Sequence, residues 1–161
     1  MTSLIFETDI AAPLEAVWAF HEDVIRSLPA LSPPEGAVKI VSADLPVHVG
    51  SRIVISARIL LGFRGQWVAK IVRHEPPCEG KAGFVDEQES GPFKAWRHEH
   101  RFIEVDSRTT KLVDEVMYRA PLGPLGWVAD KLFLRRKVEA MFAYRHRMTR
   151  QHCTGGTPMP P

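Results

Sequence analysis

Two stretches in the second half of the chain repeat their side chains with a period of two, as strands do. The residues that share a face are Trp96, His98, His100 and Phe102 in the first run, and Leu112, Asp114, Val116 and Tyr118 in the second. Residues i, i+2 and i+4 of a strand lie on the same face of a sheet. If the runs pair across the loop at Asp106–Arg108, two histidines and an aspartate share a mostly apolar face, which is typical of a small-molecule pocket.

The same period predicts seven strands in all. They cover the ranges 4–10, 37–43, 51–61, 66–74, 84–89, 94–105 and 110–120. Turn residues separate them, with a hairpin at Gly62–Gly65 and a turn at Ser90–Pro92. We therefore expect a meander of antiparallel strands.

Helical spacing appears twice. After the first strand, Pro13 and Glu15 suit the first turn of a helix, because proline and acidic residues favour that position. This helix continues to about Leu28 and breaks near His21–Asp23, and the prolines after it end it.

The longer helical pattern runs from Leu125 to Gln151. Its apolar stripe consists of Leu125, Val128, Ala129, Leu132, Val138, Met141 and Phe142. Its outer, solvated face is predicted to carry Lys131, Arg135, Arg136, Lys137, Arg145, Arg147 and Arg150. One such amphipathic helix covers one face of a curved sheet. We predict an α+β fold in which a seven-stranded curved antiparallel sheet wraps round this helix, as a single domain over residues 1–153, with a disordered tail over residues 154–161.

Composition narrows the class of protein. The chain has 161 residues, of which 45% are apolar and 25% charged, and these values are ordinary for one globular domain. A net charge of +2 does not indicate nucleic acid. Cys78 and Cys153 match no metal or redox spacing. Without a signal peptide or a membrane-length apolar run, we expect a cytoplasmic protein with free thiols and no integral membrane segment.

The pair His98 and His100 is the main chemical candidate. A neutral imidazole suits proton transfer or metal binding, and Asp114 or Asp86 would orient it or complete a metal site. The same pair also fits a purely structural role, with both rings hydrogen-bonded to neighbouring strands. Because the spacing shows no third ligand, no metal and no cofactor are predicted. Asp114 interrupts an apolar face, so it either bonds a histidine across the strands or marks the polar end of a pocket.

The fifth strand carries a run of acidic residues, and the sequence does not determine which face of this strand points inward. Asp86 and Gln88 share one face and Glu87 and Glu89 the other. If Asp86 faces inward, it needs a partner, since a lone buried carboxylate is costly. His98 or Arg97 would supply it.

Several motifs resemble a known superfamily. The pattern Pro13-x-Glu15-x-Val17-Trp18-x-Phe20 is similar to the first helix of START/birch-pollen-allergen proteins, also called the polyketide cyclase/dehydrase and lipid transport superfamily. FVDEQ-x-x-GPF-x-x-W-x-H-x-H-x-F at Phe84–Phe102, D-x-V-x-Y at Asp114–Tyr118 and PLGPLG at Pro121–Gly126 resemble a bacterial ligand-binding subgroup. Some relatives in this subgroup are fused to an epimerase-like domain linked to cell-division inhibition.

The resemblance implies a helix-grip fold with two short helices closing one end, a cavity for an apolar or amphipathic ligand, and an epimerase-like protein as a partner. It does not imply one chemistry, because superfamily members bind lipids, sterols, hormones or polyketides and only some are catalytic.

We therefore predict that the chain binds a hydrophobic or amphipathic small molecule between sheet and last helix. The predicted ligand-binding residues are Trp67, Asp86, Gln88, Trp96, His98, His100, Asp114, Val116, Tyr118, Leu132 and Phe142. One alternative is a cyclase- or dehydratase-type enzyme with His98 or His100 as general acid/base and Asp114 orienting it. Another is a protein-interaction module with a filled cavity.

Overall fold

The computed structural model describes residues 1–58, 64–121, 123, 126, 128 and 130–155. Most of the predicted Gly62–Gly65 hairpin, several positions of the PLGPLG motif and the tail after Gly155 lie outside the described residues.

Seven strands form one sheet. They are β1 (Thr2–Ile10), β2 (Lys39–Ala43), β3 (Arg52–Arg58), β4 (Arg64–Cys78), β5 (Lys81–Ser90), β6 (Ala95–Asp106) and β7 (Thr109–Arg119). Their order in the sheet is β1-β7-β6-β5-β4-β3-β2, and neighbours pair antiparallel. The predicted α+β helix-grip fold is confirmed.

Strands β6 and β7 pair as neighbours, and the two histidines and the aspartate share a face, as predicted. His100 lies opposite Asp114, and His98 lies opposite Val116. The eight side chains of this shared face are all buried. The period of two was therefore sufficient to bring both histidines and the aspartate together.

Two short helices follow β1, as predicted. They are α1 (Leu14–Glu22) and α2 (Val24–Ala30). The break between them lies at Asp23, whose side chain accepts a hydrogen bond from the backbone N–H of Arg26 and so caps α2. A short 3₁₀ turn, Pro34–Gly36, then leads to β2.

The last helix begins differently from the prediction. A wide π-type turn covers Asp130–Leu134, and the regular helix α3 covers Arg135–Thr154. The inward positions are Asp130, Leu134, Val138, Phe142, His146 and Thr149. Leu132 is 53% exposed and Val128 is 46% exposed, so the predicted stripe is wrong at these two positions. Leu125 and Ala129 of the stripe lie outside the described residues. A π-type turn holds about one residue more than an α-turn, which rotates the preceding side chains by about 100° relative to the rest of the helix.

α3 packs on β1 and contacts α1 near its end. Phe142 is fully buried and stacks on Phe6 of β1, with ring centroids 4.8 Å apart. Among the described residues, no helix combines the length and apolar character that crossing a membrane requires.

Candidate functional site

A cavity of about 790 Å³ lies between the sheet, the two short helices and α3. This volume is within the usual range for small-molecule sites. Most of its lining is apolar: Trp18, Val24, Leu28, Leu31, Val47, Ile53, Ile55, Trp67, Ala69, Ile71, Phe84, Phe93, Trp96, Leu134, Val138 and Met141. Glu35, Lys137 and Arg147 also line the cavity and are exposed, so they mark its mouth.

The polar end of the cavity is formed by strands β5 and β6. Asp86, His98 and His100 line it, and the β5–β6 register places Asp86 opposite His98. Asp86 Oδ2 lies 3.5 Å from His98 Nδ1 and 3.4 Å from His100 Nε2. The face of β5 that carries Asp86 therefore points into the cavity, a question that the sequence had not decided. Arg97 pairs with Glu87 instead, at 2.8 Å.

Asp114 lies behind the two histidines and does not itself line the cavity. His98 Nε2 donates to Asp114 Oδ1 at 2.8 Å, and His146 Nε2 of α3 donates to Oδ2 at 2.7 Å. His100 Nδ1 lies 3.0 Å from Oδ1, but its direction is poor for a hydrogen bond, so this contact is mainly electrostatic. Of the two roles predicted for Asp114, the cross-strand bond to a histidine is the one that the structure shows.

Burial and neighbouring charges shift the pKa values of His98 and His100 in opposite directions. Burial lowers the pKa of His98 to about 4, and the neighbouring charge of His100 acts in the same direction. Burial also opposes the charged form of His100, but Asp114 and then Asp86 outweigh it and raise its pKa. Burial favours the neutral form of Asp114, yet its contacts with His100, His146 and His98 hold its pKa well below the usual range. The pKa of Asp86 is lowered against the same effect by His100 and His98.

Arg145 was predicted on the solvated outer face of the last helix, and this is wrong. Its side chain lines the cavity, and burial lowers the pKa of its guanidinium. Arg145 Nε is buried and has no hydrogen-bond partner among the described residues. The buried Trp67 Nε1 likewise lacks a partner within the described part of the chain. Two unused donors therefore lie on cavity-lining side chains.

His21 of α1 also lines the cavity, although the sequence placed it only on a helical stripe. Its Nδ1 donates to the carbonyl of Val17 at 2.9 Å. Burial lowers the pKa of its ring to about 4, so His21 is neutral at pH 7.

The predicted binding residues divide into two groups. Trp67, Asp86, Trp96, His98 and His100 line the cavity. Gln88, Asp114, Val116, Tyr118, Leu132 and Phe142 do not.

The second group has other roles. Gln88 Nε2 donates to the carbonyl of Phe93 at 2.7 Å, and this bond holds the β5–β6 turn so that Phe93 reaches the cavity wall. Tyr118 donates to Asp130 Oδ1 at 2.6 Å, beneath the start of α3. Val116 is fully buried under the sheet face. Phe142 contacts His98 edge-on at 4.9 Å between ring centroids, and so supports that ring from behind.

Only weak sequence signals pointed to the residues that were missed. His146 lies four positions after Phe142 on the buried stripe, so a polar side chain in that stripe was the available signal. Phe93 and Phe84 belong to the motif at Phe84–Phe102. The inward orientation of Arg145 could not be predicted from the sequence, because it depends on the shape of the cavity.

The chain was compared with known families and structures. A family model for polyketide cyclase / dehydrase and lipid transport proteins matches residues 10–142. A START superfamily protein from Mycobacterium smegmatis is similar at a TM-score of 0.67 and 14% identity, over 96% of this chain and 99% of that one. Norcoclaurine synthase from Thalictrum flavum, in complex with dopamine and hydroxybenzaldehyde, is similar at a TM-score of 0.68 and 12% identity, over 98% and 88% of the two chains.

A third similar structure is longer. The di-domain ARO/CYC BexL from the BE-7585A biosynthetic pathway has a TM-score of 0.66 and 19% identity, over 99% of this chain and 48% of that one. At these identities, the likeness shows the fold alone. None of the curated proteins matches this sequence.

Proposed function

Because this chain belongs to the polyketide cyclase/dehydrase and lipid transport family, we propose that it binds an apolar or amphipathic small molecule, of the lipid or polyketide kind, in the cavity between its sheet and α3. The observation that carries this proposal is the cavity of about 790 Å³, which is walled mainly by apolar side chains and closed at one end by Asp86, His98 and His100. Such a combination of apolar walls with a few convergent polar groups orients a ligand.

The unused donors indicate which end of the ligand lies deep in the cavity. Trp67 Nε1 and Arg145 Nε lack partners among the described residues, and a buried donor without a partner costs free energy. A ligand with carbonyl, carboxylate or hydroxyl oxygens would accept from them. We therefore assign oxygen atoms of the ligand to the donors of Trp67 and Arg145, and its hydrocarbon or aromatic body to the remaining apolar walls.

Binding of 8-anilinonaphthalene-1-sulfonate tests the cavity directly. We expect saturable binding of one probe per chain with a blue-shifted emission. Ala69 lines the cavity, so Ala69→Phe should place a ring inside it and weaken binding at least about tenfold. Ala143 is exposed on α3, so Ala143→Phe is the matched control and should bind like the wild type. Absence of saturable binding, or equal binding by Ala69→Phe, would show that the cavity is not the site.

Native mass spectrometry of the purified protein, followed by extraction into organic solvent, would identify the ligand class. We expect a stoichiometric extra mass that extracts as a small organic compound and is absent from Ala69→Phe.

The cavity bears differently on the alternative functions. The interaction-module hypothesis required a filled cavity, and the open cavity argues against it. A cyclase- or dehydratase-type activity stays a prediction, as do the epimerase-like partner and the cytoplasmic location.

A further inference from the structure

Three donor atoms converge at the polar end of the cavity. Asp86 Oδ2, His98 Nδ1 and His100 Nε2 belong to a group whose ligand atoms all lie within 4.8 Å of one another. The two distances from Asp86 are 3.5 and 3.4 Å. Around a tetrahedral zinc ion with bonds of about 2.0–2.2 Å, neighbouring ligand atoms lie about 3.3–3.6 Å apart. Both spacings from Asp86 match neighbouring ligands of one ion. They are long for a direct hydrogen bond, which His100 Nε2 makes with Asp86 Oδ2 at 3.4 Å.

The direction of the hydrogen bonds supports an ion. Asp114 as a carboxylate can only accept, so the N–H of His98 must be on Nε2, which lies 2.8 Å from it. When Nδ1 of His98 carries no hydrogen, its lone pair points toward Asp86 Oδ2, 3.5 Å away. Two acceptors facing each other are unfavourable unless a cation lies between them.

Asp114 occupies the position of an outer carboxylate. The ring nitrogen of His98 that faces away from Asp86 donates to Asp114 at 2.8 Å, and the corresponding nitrogen of His100 lies 3.0 Å from the same oxygen without hydrogen-bond geometry. Histidines that bind metals almost always direct their second nitrogen to such an acceptor, which fixes the ring and raises its basicity. His146 holds the other oxygen of Asp114 at 2.7 Å, so α3 locks the arrangement.

The local charge also favours a cation. Asp86 and Asp114 bring two carboxylates to a site where Arg145 is the cation that acts on both of them. Two carboxylates therefore lie near one arginine here. Because Asp86, His98 and His100 line the cavity, the remaining coordination positions of an ion would open into it, as in zinc sites that bind water or substrate.

We propose that Asp86, His98 and His100 bind one divalent first-row transition metal ion, such as Zn²⁺, with Asp114 as the positioning residue behind both histidines. Two imidazoles and one carboxylate form a donor set that suits these ions. The proposal does not depend on the identity of the organic ligand, and an oxygen of that ligand would take the open position.

Metal binding by the purified full chain tests this. After treatment with chelator and dialysis against Zn²⁺, we expect one ion per chain by elemental mass spectrometry. Asp86→Asn and His98→Gln should each weaken Zn²⁺ binding about 100-fold or more, and Asp114→Asn about 10- to 100-fold. The control His152→Gln removes an exposed histidine and should bind like the wild type.

A second measurement needs no variant. Co²⁺ in the wild-type site should give two strongly shifted imidazole N–H signals by NMR, one for each ligating histidine, and Zn²⁺ should displace it. Less than one ion per chain, binding that Asp86→Asn leaves unchanged, or a Co²⁺ protein without the two signals would overturn the proposal. Binding of the naphthalene sulfonate probe is measured separately, so loss of the metal site and loss of the cavity are distinguishable.

Discussion

At the scale of single residues, buried carboxylates determine which side chains are held together. Asp114 contacts three histidines, and Asp130 accepts from two hydroxyls, Tyr118 at 2.6 Å and Thr2 at 2.7 Å. The sequence predicted Asp114 as the anomaly on its strand, because a charged residue interrupted an apolar face. The burial of Asp130 was not predicted. An acidic residue on a basic helix is expected to be exposed to solvent unless the turn that buries it is known.

The bond between Tyr118 and Asp130 gives a prediction at this scale. Tyr118→Phe should lower the free energy of unfolding by about 1.5–3 kcal/mol, because hydrogen bonds to charged groups contribute about that much. Tyr144→Phe, in the only other tyrosine of the chain, is the control and should change it little. Urea unfolding of the three proteins measures this, and equal stabilities would show that the bond contributes nothing.

The same bond sets a dependence on alkaline pH. Burial and then Asp130 raise the pKa of Tyr118 above its usual value of about 10. A group whose pKa is raised on folding stabilises the protein below the unfolded pKa and loses this contribution as pH rises. Between pH 9 and pH 11, the wild type should therefore lose more stability than Tyr118→Phe.

At the scale of elements, periodicity predicted the strands better than the last helix. That His98, His100 and Asp114 share a face followed from a period of two, because a strand in a sheet has only two faces. The start of the last helix could not be predicted in this way. A π-type turn over Asp130–Leu134 changes the period for one turn, and nothing local distinguishes Leu132, which is exposed, from Leu134, which is buried. Tertiary bonds to Asp130 favour that turn, and a pattern of apolar residues does not contain them.

Close contact between β5 and β6 gives a prediction at this scale. A Cβ atom on Gly83 would lie 2.7 Å from the backbone oxygen of His100, which cannot move without distorting the pairing. Gly83→Ala should therefore cost about 1–3 kcal/mol of stability.

Gly36→Ala is the matched control, because the nearest atom to its Cβ would be 3.9 Å away. It should leave stability unchanged or raise it by up to about 1 kcal/mol. Thermal unfolding of both variants measures the difference, and a Gly83→Ala protein as stable as Gly36→Ala would contradict the close contact.

At the scale of the whole molecule, α3 joins the two ends of the sheet. Its beginning lies over Tyr118 and Thr2, and its end reaches α1, where His152 stacks on Phe20 at 5.2 Å between ring centroids. Cys153 packs there against a cluster that includes Ile10 and Trp18. The accessibility of the Cys153 thiol therefore indicates whether the end of α3 is packed against the rest of the protein.

The two thiols should react at very different rates. Cys78 is exposed at the end of β4, whereas burial raises the pKa of Cys153 to about 11. Since the thiolate is the reactive form, a disulfide reagent at pH 8 should modify one thiol per chain rapidly and the second slowly. Cys78→Ser should remove the rapid phase and Cys153→Ser should keep it. Two equally rapid thiols would mean that the end of α3 is open in solution.

The sheet order has a consequence for how the protein is made. Within the described part of the chain, β1 pairs with β7 alone, and the paired residues Thr2 and Tyr118 are 116 positions apart in sequence. On the ribosome, β1 must therefore wait until nearly all of the sheet has been synthesised, with Leu4 and Ile10 lacking their final neighbours. Closing so long a loop delays folding. The nascent chain thus exposes an unpaired apolar strand for most of its synthesis, and this interval is when it depends most on protection from aggregation.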